Sequence, residues 1–248
     1  MNRFRIIPLT IASLCLCFFT LSGFTNLPTE NLPTIEEQVL QIIRDHPEVI
    51  LESVQAYQQR KQEEIQQRRQ AFLQQMFTKP VSVIGNSPTT GATDNKIVLV
   101  EFSDFQCPFC AQAHQTVKEF IDKHGDKVTF TYKNLPLISI HPQALPAAKA
   151  AWAAFQQGKF WEYEDALFQQ QDKLGEQLYI AIAEILDLDL EQFNRDRNSQ
   201  VATAAIAEDL NLAQTLAING TPFFLLNDQI LPNPLKIEEM ESILARFP

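Results

Sequence analysis

Between residues 34 and 77 the apolar positions recur at helical spacing. Ile35, Val39, Ile42 and Ile43 mark one face, and Ile50, Val54, Tyr57, Ile65, Phe72 and Met76 continue the pattern. Thr34, followed by Glu37, reads as a capping box at its start. Pro47, directly after His46, interrupts it, so two helices or a kink are expected there. From 58 to 70 nearly every residue is Gln, Glu, Arg or Lys. A helix with so narrow an apolar stripe buries little against its own domain. Two readings stand level: a solvated helix along the body, or an oligomerisation stalk whose thin seam resembles that of a coiled coil.

Residues 79–96 are rich in Pro, Gly, Ser and Thr, with a short strand expected at 81–84. The period then changes. Ile97, Val98, Leu99 and Val100 form a continuous, β-branched run that predicts a strand buried on both faces. A loop is expected at 103–106. A helix at 108–123 carries Ala111, Ala113, Val117, Phe120 and Ile121 and stops near Gly125. Val128, Phe130 and Tyr132 alternate as a second strand. Strand, helix and strand in this order make a βαβ unit with parallel strands. Next comes a block without strand signals, helical at 143–157, 160–171, 176–186 and 199–216. Gly220, Thr221 and Pro222 lead from it into a buried strand at 223–226. A weak strand at 229–231 and a helix at 237–247 close the chain. The expected class is therefore α/β, with a helical block inserted between a βαβ half and a ββα half.

The first 25 residues fall outside this scheme. Arg3 and Arg5 precede a nearly unbroken apolar stretch at 6–19, and the small residues Ser22 and Gly23 follow. This is the layout of a secretory signal peptide; the alternative is an uncleaved N-terminal anchor. Both place the remainder outside the cytoplasm, in the periplasm or an equivalent exported compartment. A helical extension then occupies 26–79, and the main domain 80–248. Apolar residues make up 45 %, charged residues 20 %, and the formal net charge is −10. An acidic chain lacks the basic surface that nucleic acid requires, so no nucleic-acid partner is expected.

Cysteine usage sharpens the chemistry. Of four cysteines, Cys15 and Cys17 lie in the apolar leader, which leaves Cys107 and Cys110 in the exported part. A disulfide-stapled domain would carry more cysteines, spread along the chain. Cys107-Pro108-Phe109-Cys110 instead sits between a buried strand and a helix. A helix N-terminus offers unpaired N–H groups and a positive dipole end, which lower a thiol pKa, and only the thiolate attacks a disulfide. Cys107 is thus the expected nucleophile. Cys110, one turn on, is the resolving thiol, and Pro108 fits the first helical turn. Duller readings compete. A structural disulfide closing so short a loop would constrain the unfolded chain little. Zinc would need further ligands. Cys107, Cys110 and His114 could hold a soft metal such as copper, so a copper-handling binding protein stays open.

The segment Glu101-Phe102-Ser103-Asp104-Phe105-Gln106-Cys107-Pro108-Phe109-Cys110 resembles the active-site segment of the DsbA family of extracytoplasmic thiol-disulfide oxidoreductases. The resemblance continues through Asn134-Leu135-Pro136-Leu137, His141-Pro142-Gln143-Ala144 and Gln157-Gly158-Lys159-Phe160-Trp161, and ends on Gly220-Thr221-Pro222-Phe223. It runs from about residue 81 to the C-terminus and implies a thioredoxin fold with a helical insertion at about 140–217. It also implies a cis-proline loop at Thr221-Pro222 packed against the cysteine pair. Pro108, Phe109, Thr221 and Pro222 would then contact substrate, with Thr221 offering its backbone to an added strand. Glu101 takes the place of a buried acid beneath the second cysteine, where it would relay the proton of Cys110; solvent exposure at the strand end is the alternative. His141 is expected in a loop or interface, not in catalysis. The implied activity is disulfide exchange with protein thiols, disulfide formation first and isomerisation or reduction as the alternative. The implied resetting partner is a membrane protein of DsbB-like or vitamin K epoxide reductase-like type. No cofactor or metal is called for. Two departures stand out. Phe109 replaces the His of strongly oxidising members. Asn227, Asp228, Pro232 and Pro234 stand where a glycine turn usually closes the last hairpin.

Overall fold

The computed structural model describes residues 33–247. Residues 1–32, with Cys15, Cys17 and the expected signal peptide or anchor, lie outside the described residues. The chain divides into two compact units, with the boundary between Val54 and Gln55.

In the first unit, α1 (Ile35–Asp45) starts on the expected capping box. Glu37 N–H donates to Thr34 Oγ1 at 3.2 Å, and Thr34 N–H donates to the Glu37 carboxylate at 2.8 Å. The break falls at His46, and Pro47 opens α2 (Pro47–Thr78). No residue of α1 is buried, nor any of α2 as far as Val54.

The second unit holds the remainder of α2. Here the apolar stripe does find a partner. Phe72 and Met76 are buried among Val98, Val100, Phe102, Leu135 and Leu225. Arg69 donates to the carbonyls of Leu216 and Ala217 at 2.8 and 3.0 Å. The last turns of α2 are therefore docked, and the polar stretch around 58–70 conceals that because one arginine and two apolar residues suffice.

The sheet has the order β1 (Thr89–Gly91), β3 (Val128–Asn134), β2 (Ile97–Ser103), β4 (Phe223–Leu226), β5 (Gln229–Ile230). Strands β2 and β3 are parallel; every other pair is antiparallel. Their crossover is α4 (Pro108–His124). The helical block comprises α5 (Ala144–Gln156), α6 (Phe160–Gln169), α7 (Glu176–Ile185), α8 (Leu190–Arg197) and α9 (Gln200–Thr215), and α10 (Ile237–Leu244) ends the chain. The α/β class and the inserted block stand as the sequence predicts.

One local expectation fails, and two elements went unforeseen. Residues 81–84 form no strand; they make the short helix α3 (Pro80–Ile84). Proline at the first helical position favours that start, and the edge of β3 is already taken by β1. β1 itself went unpredicted, being Thr-Thr-Gly with no apolar signal. So did α8, which buries only Phe193 and owes its start to Asp189 accepting from Gln192 N–H at 2.9 Å.

Every residue of β2 is buried, as expected of a strand covered on both faces, and its side chains alternate between those faces with the period of two that a strand imposes. Val98, Val100 and Phe102 face α2 and α9, whereas Ile97 and Leu99 pack with Val117 and Phe120 of α4. Glu101 and Ser103 share this second face, and Glu101 stands in register with Tyr132 of β3. Two polar side chains thus lie on the covered face of a central strand, directly under the start of α4.

Candidate active site

At the end of β2 the chain must turn sharply into α4, and Asp104 makes the turn. Its Oδ1 accepts from Gln106 N–H at 2.8 Å, and its Oδ2 accepts from Leu137 N–H at 2.9 Å and faces His141 Nδ1 at 2.7 Å. His141 is thus a loop residue holding the turn, as expected. Phe105 fixes the next position by packing on Tyr132 and Phe168, each with ring centroids 5.2 Å apart.

This arrangement delivers Cys107 to the N-cap of α4 and Pro108 to its first turn. Cys107 does not cap the helix with its side chain. Its Sγ lies 3.4 Å from the Thr221 carbonyl oxygen, to which the thiol donates. The Thr221–Pro222 bond is cis. Loop and helix start therefore meet at the sulfur as the resemblance implied. Cys107 is 4 % exposed and Cys110 fully buried, and both are free thiols.

The two sulfurs are pushed apart in acidity. The Cys107 pKa is lowered to about 5, above all because the Cys110 thiol donates to its thiolate. Burial opposes this, but the N–H groups of Cys110 and Phe109 add to it. Cys110 moves strongly upward, first through burial and then because its proton is shared with Cys107 and a carboxylate lies close by. At neutral pH the outer sulfur is an anion and the inner one holds its proton.

Beneath Cys110 lies Glu101, 2 % exposed. Burial raises its pKa to about 8; the Ser103 hydroxyl and the charge of His114 pull it down, and Glu164 and Cys107 push it up. The solvent-exposed alternative for Glu101 is thus excluded by its burial. Glu101 Oε1, Ser103 Oγ and Tyr132 Oη have no hydrogen-bond partner among protein atoms within normal geometry. Sequence reasoning missed Ser103 and Tyr132. The period of two through Glu101 and Ser103 was the available signal.

His114, one turn beyond Cys110, belongs to a different constellation. Its ring nitrogens lie 3.1 Å from Glu164 and 2.9 Å from Asp165, both on α6. Burial would lower its pKa, yet the two carboxylates outweigh burial and raise it to about 9. A protonated imidazole has no lone pair for a metal. Among the described residues no group of three or more metal-ligating side chains is assembled.

Phe109 is 60 % exposed. With Gln112, Ala113, Thr116, Asn233, Pro234 and Leu235 it lines a cleft of about 450 Å³ beside the cysteine pair. Pro108 is exposed next to it. Of the residues singled out from sequence, Cys107, Cys110, Glu101, Thr221 and Pro222 converge on one point, with Pro108 and Phe109 at its outer rim.

Fold and cysteine geometry together define a dithiol protein of thioredoxin-like class. Comparison with known proteins agrees. The thioredoxin family model matches residues 84–246. A thioredoxin-like oxidoreductase from Silicibacter pomeroyi is 32 % identical, with a TM-score of 0.62 over 68 % of this chain and 97 % of that one. Proteus mirabilis ScsC is 25 % identical, with a TM-score of 0.61 over 85 % and 95 % of the two chains. A Na(+)/H(+) antiporter NhaA of Salinispora tropica is 36 % identical over 158 residues, which make up 63 % of this chain. That match spans 24 % of the antiporter's length, and among the described residues no helix is long and apolar enough to cross a membrane. The chain belongs to the thioredoxin family.

The acidity of Cys107 has a direct readout. Only the thiolate reacts with iodoacetamide, so alkylation of Cys107 should rise with pH, reach half its plateau near pH 5, and level off above. Cys110 should stay unmodified in the folded protein. Phe109→His would set an imidazolium beside the same sulfur and should lower the midpoint by roughly one pH unit. A midpoint in the ordinary thiol range, or no response to Phe109→His, would contradict this picture.

Proposed function

We propose that this chain is an exported thiol-disulfide oxidoreductase that forms disulfides in protein substrates through Cys107 and Cys110. The observation that carries the reading is the asymmetry of the pair: an acidic, rim-facing Cys107 over a buried, protonated Cys110.

In the oxidised pair, a client thiolate attacks Cys107 Sγ, since Cys107 is the residue of the two with any exposure. The Cys107–Cys110 bond breaks, and a client–Cys107 disulfide forms. Cys110 leaves as a thiolate in a buried site next to a carboxyl group. Glu101, with a pKa near 8, holds a proton at neutral pH and donates it there. A second client thiolate then attacks the client sulfur of the mixed disulfide. The client gains its disulfide and loses two electrons. Cys107 departs as a thiolate, stabilised by the helix start and the reprotonated Cys110 thiol. Pro108, Phe109, Thr221 and Pro222 form the surface that receives the client segment. A membrane protein of DsbB-like or vitamin K epoxide reductase-like type would take the two electrons and restore the disulfide. No cofactor takes part.

Isomerisation is the second reading, and one observation favours it. Ile35, Val39, Ile42, Ile43, Ile50, Leu51 and Val54 are all exposed on α1 and the start of α2. Residues of this type, contiguous and uncovered, mark an association surface. A second copy of the same helices would cover them, and an oligomer of dithiol sites suits the reshuffling of existing disulfides.

Two substitutions test the exchange reading. Cys107→Ser should abolish client oxidation, and Cys110→Ser should accumulate client proteins on Cys107, visible as bands lost on reduction. Wild-type activity in the first, or no adducts in the second, would overturn it. Self-association is read by light scattering of the full chain against a chain starting at Gln55. The full chain should be oligomeric and the shorter one monomeric; a monomeric full chain would remove the support for isomerisation.

A further inference from the structure

The turn that presents Cys107 is held from outside the thioredoxin fold. Gln171 lies in a short 3-10 turn (Gln171–Lys173) directly after α6, in the helical block. Its side-chain amide donates to the Phe105 carbonyl at 2.8 Å and to the Cys107 carbonyl at 2.9 Å. A primary amide has two N–H groups, and both are spent on this one turn. The two contacts are not redundant. The Phe105 carbonyl receives no backbone donor among the described residues, so Gln171 alone satisfies it. The Cys107 carbonyl already accepts from the N–H groups of Cys110 and Ala111 at 3.1 and 3.2 Å, as the first acceptor of α4.

We propose that Gln171 is a positioning residue for Cys107, through which the helical block holds the turn in the orientation that favours the thiolate. The inference rests on Cys107 being the attacking group and adds the element that keeps it so. Two physical effects act in the same direction. A donor on the Cys107 carbonyl draws off negative charge that would otherwise stand close to an anionic sulfur. Tying Phe105 and Cys107 to one amide also fixes the N-cap, so the first N–H groups of α4 stay aimed at the sulfur. The ionisable groups around Cys107 are Cys110 on its own helix and Glu101 on β2, with the Thr221 hydroxyl and carbonyl across from it. Among these contacts Gln171 is the one supplied by the helical block. The same block also reaches the turn through Gln143 N–H on Gln106 Oε1 at 2.7 Å, His141 on the Asp104 carboxylate and Phe168 against the Phe105 ring, but each of these ends on a side chain and none reaches the Phe105 or Cys107 carbonyl.

The test uses the full chain with two substitutions of similar length. Gln171→Met removes both donors; Gln171→Lys keeps a donor and adds a positive charge. Thiolate absorbance against pH, and equilibrium with glutathione, are measured for each after denaturant unfolding has shown which variants fold. Gln171→Met should raise the Cys107 midpoint and lower the reduced-to-oxidised ratio by roughly three- to ten-fold, the scale of one hydrogen bond. Gln171→Lys should return the midpoint to the wild-type value or below. A residue that merely supported the fold would move both variants the same way. Shifts of equal sign, or no shift in any folded variant, would overturn the proposal. The titration reads Gln171 even in a chain that exchanges nothing, so failure of the exchange reading and failure of this one are told apart.

Discussion

A helix begins with backbone N–H groups that have no partner inside it, and whatever sits at the N-cap feels them all. In this chain that position holds a sulfur. Had Cys107 been Ser or Asp, its oxygen would have bonded back to the helix and closed the site. A sulfur is a weak acceptor and makes no such cap. It is left to face the Thr221 loop, with the donors behind it. Asp104, Phe105 and the Thr221 carbonyl all serve to hold the sulfur in that place. The cost is modest, since the helix gives up one capping bond and keeps seventeen residues of regular structure.

The second sulfur obeys the opposite rule. Cys110 is one turn inward and without exposure, so ionising it is opposed by burial. Glu101 underneath is opposed in the same way. Two groups that both resist charge can exchange one proton between them with little solvent rearrangement. Further along α4 the protonated His114, held by Glu164 and Asp165, is the nearby positive charge that partly offsets these acids. Burial thus produces the inequality between the sulfurs as much as the helix start does. An enclosed, protonated Cys110 is what donates to the Cys107 thiolate.

Much of this was readable in the sequence because the signals are local. The apolar run at Ile97 to Val100, the Cys-Pro-Phe-Cys junction and the Gly-Thr-Pro approach to β4 each announce themselves within a few residues. What escaped depends on partners far along the chain. Gln171 is an ordinary glutamine in a polar stretch until folding sets it against residue 107, 64 positions away. Arg69 sits in a run of charges, and only the end of α9 explains it. The strand expected at 81–84 failed because a valine-rich segment is read as strand by type, whereas Pro80 and the occupied sheet edge decide it. Phe109 cut the other way: the sequence identified it as a departure, and its side chain turns out to face solvent at the rim of the cleft.

The central claim is that this geometry stabilises the reduced pair through the Cys107 anion, and the equilibrium potential of Cys107–Cys110 against glutathione tests it most directly. Each favourable contact to the thiolate favours the dithiol over the disulfide, so the pair should be oxidising, with a potential above about −180 mV. A value near the roughly −270 mV of a reducing thioredoxin would mean that the helix start and Cys110 do not hold the anion as described.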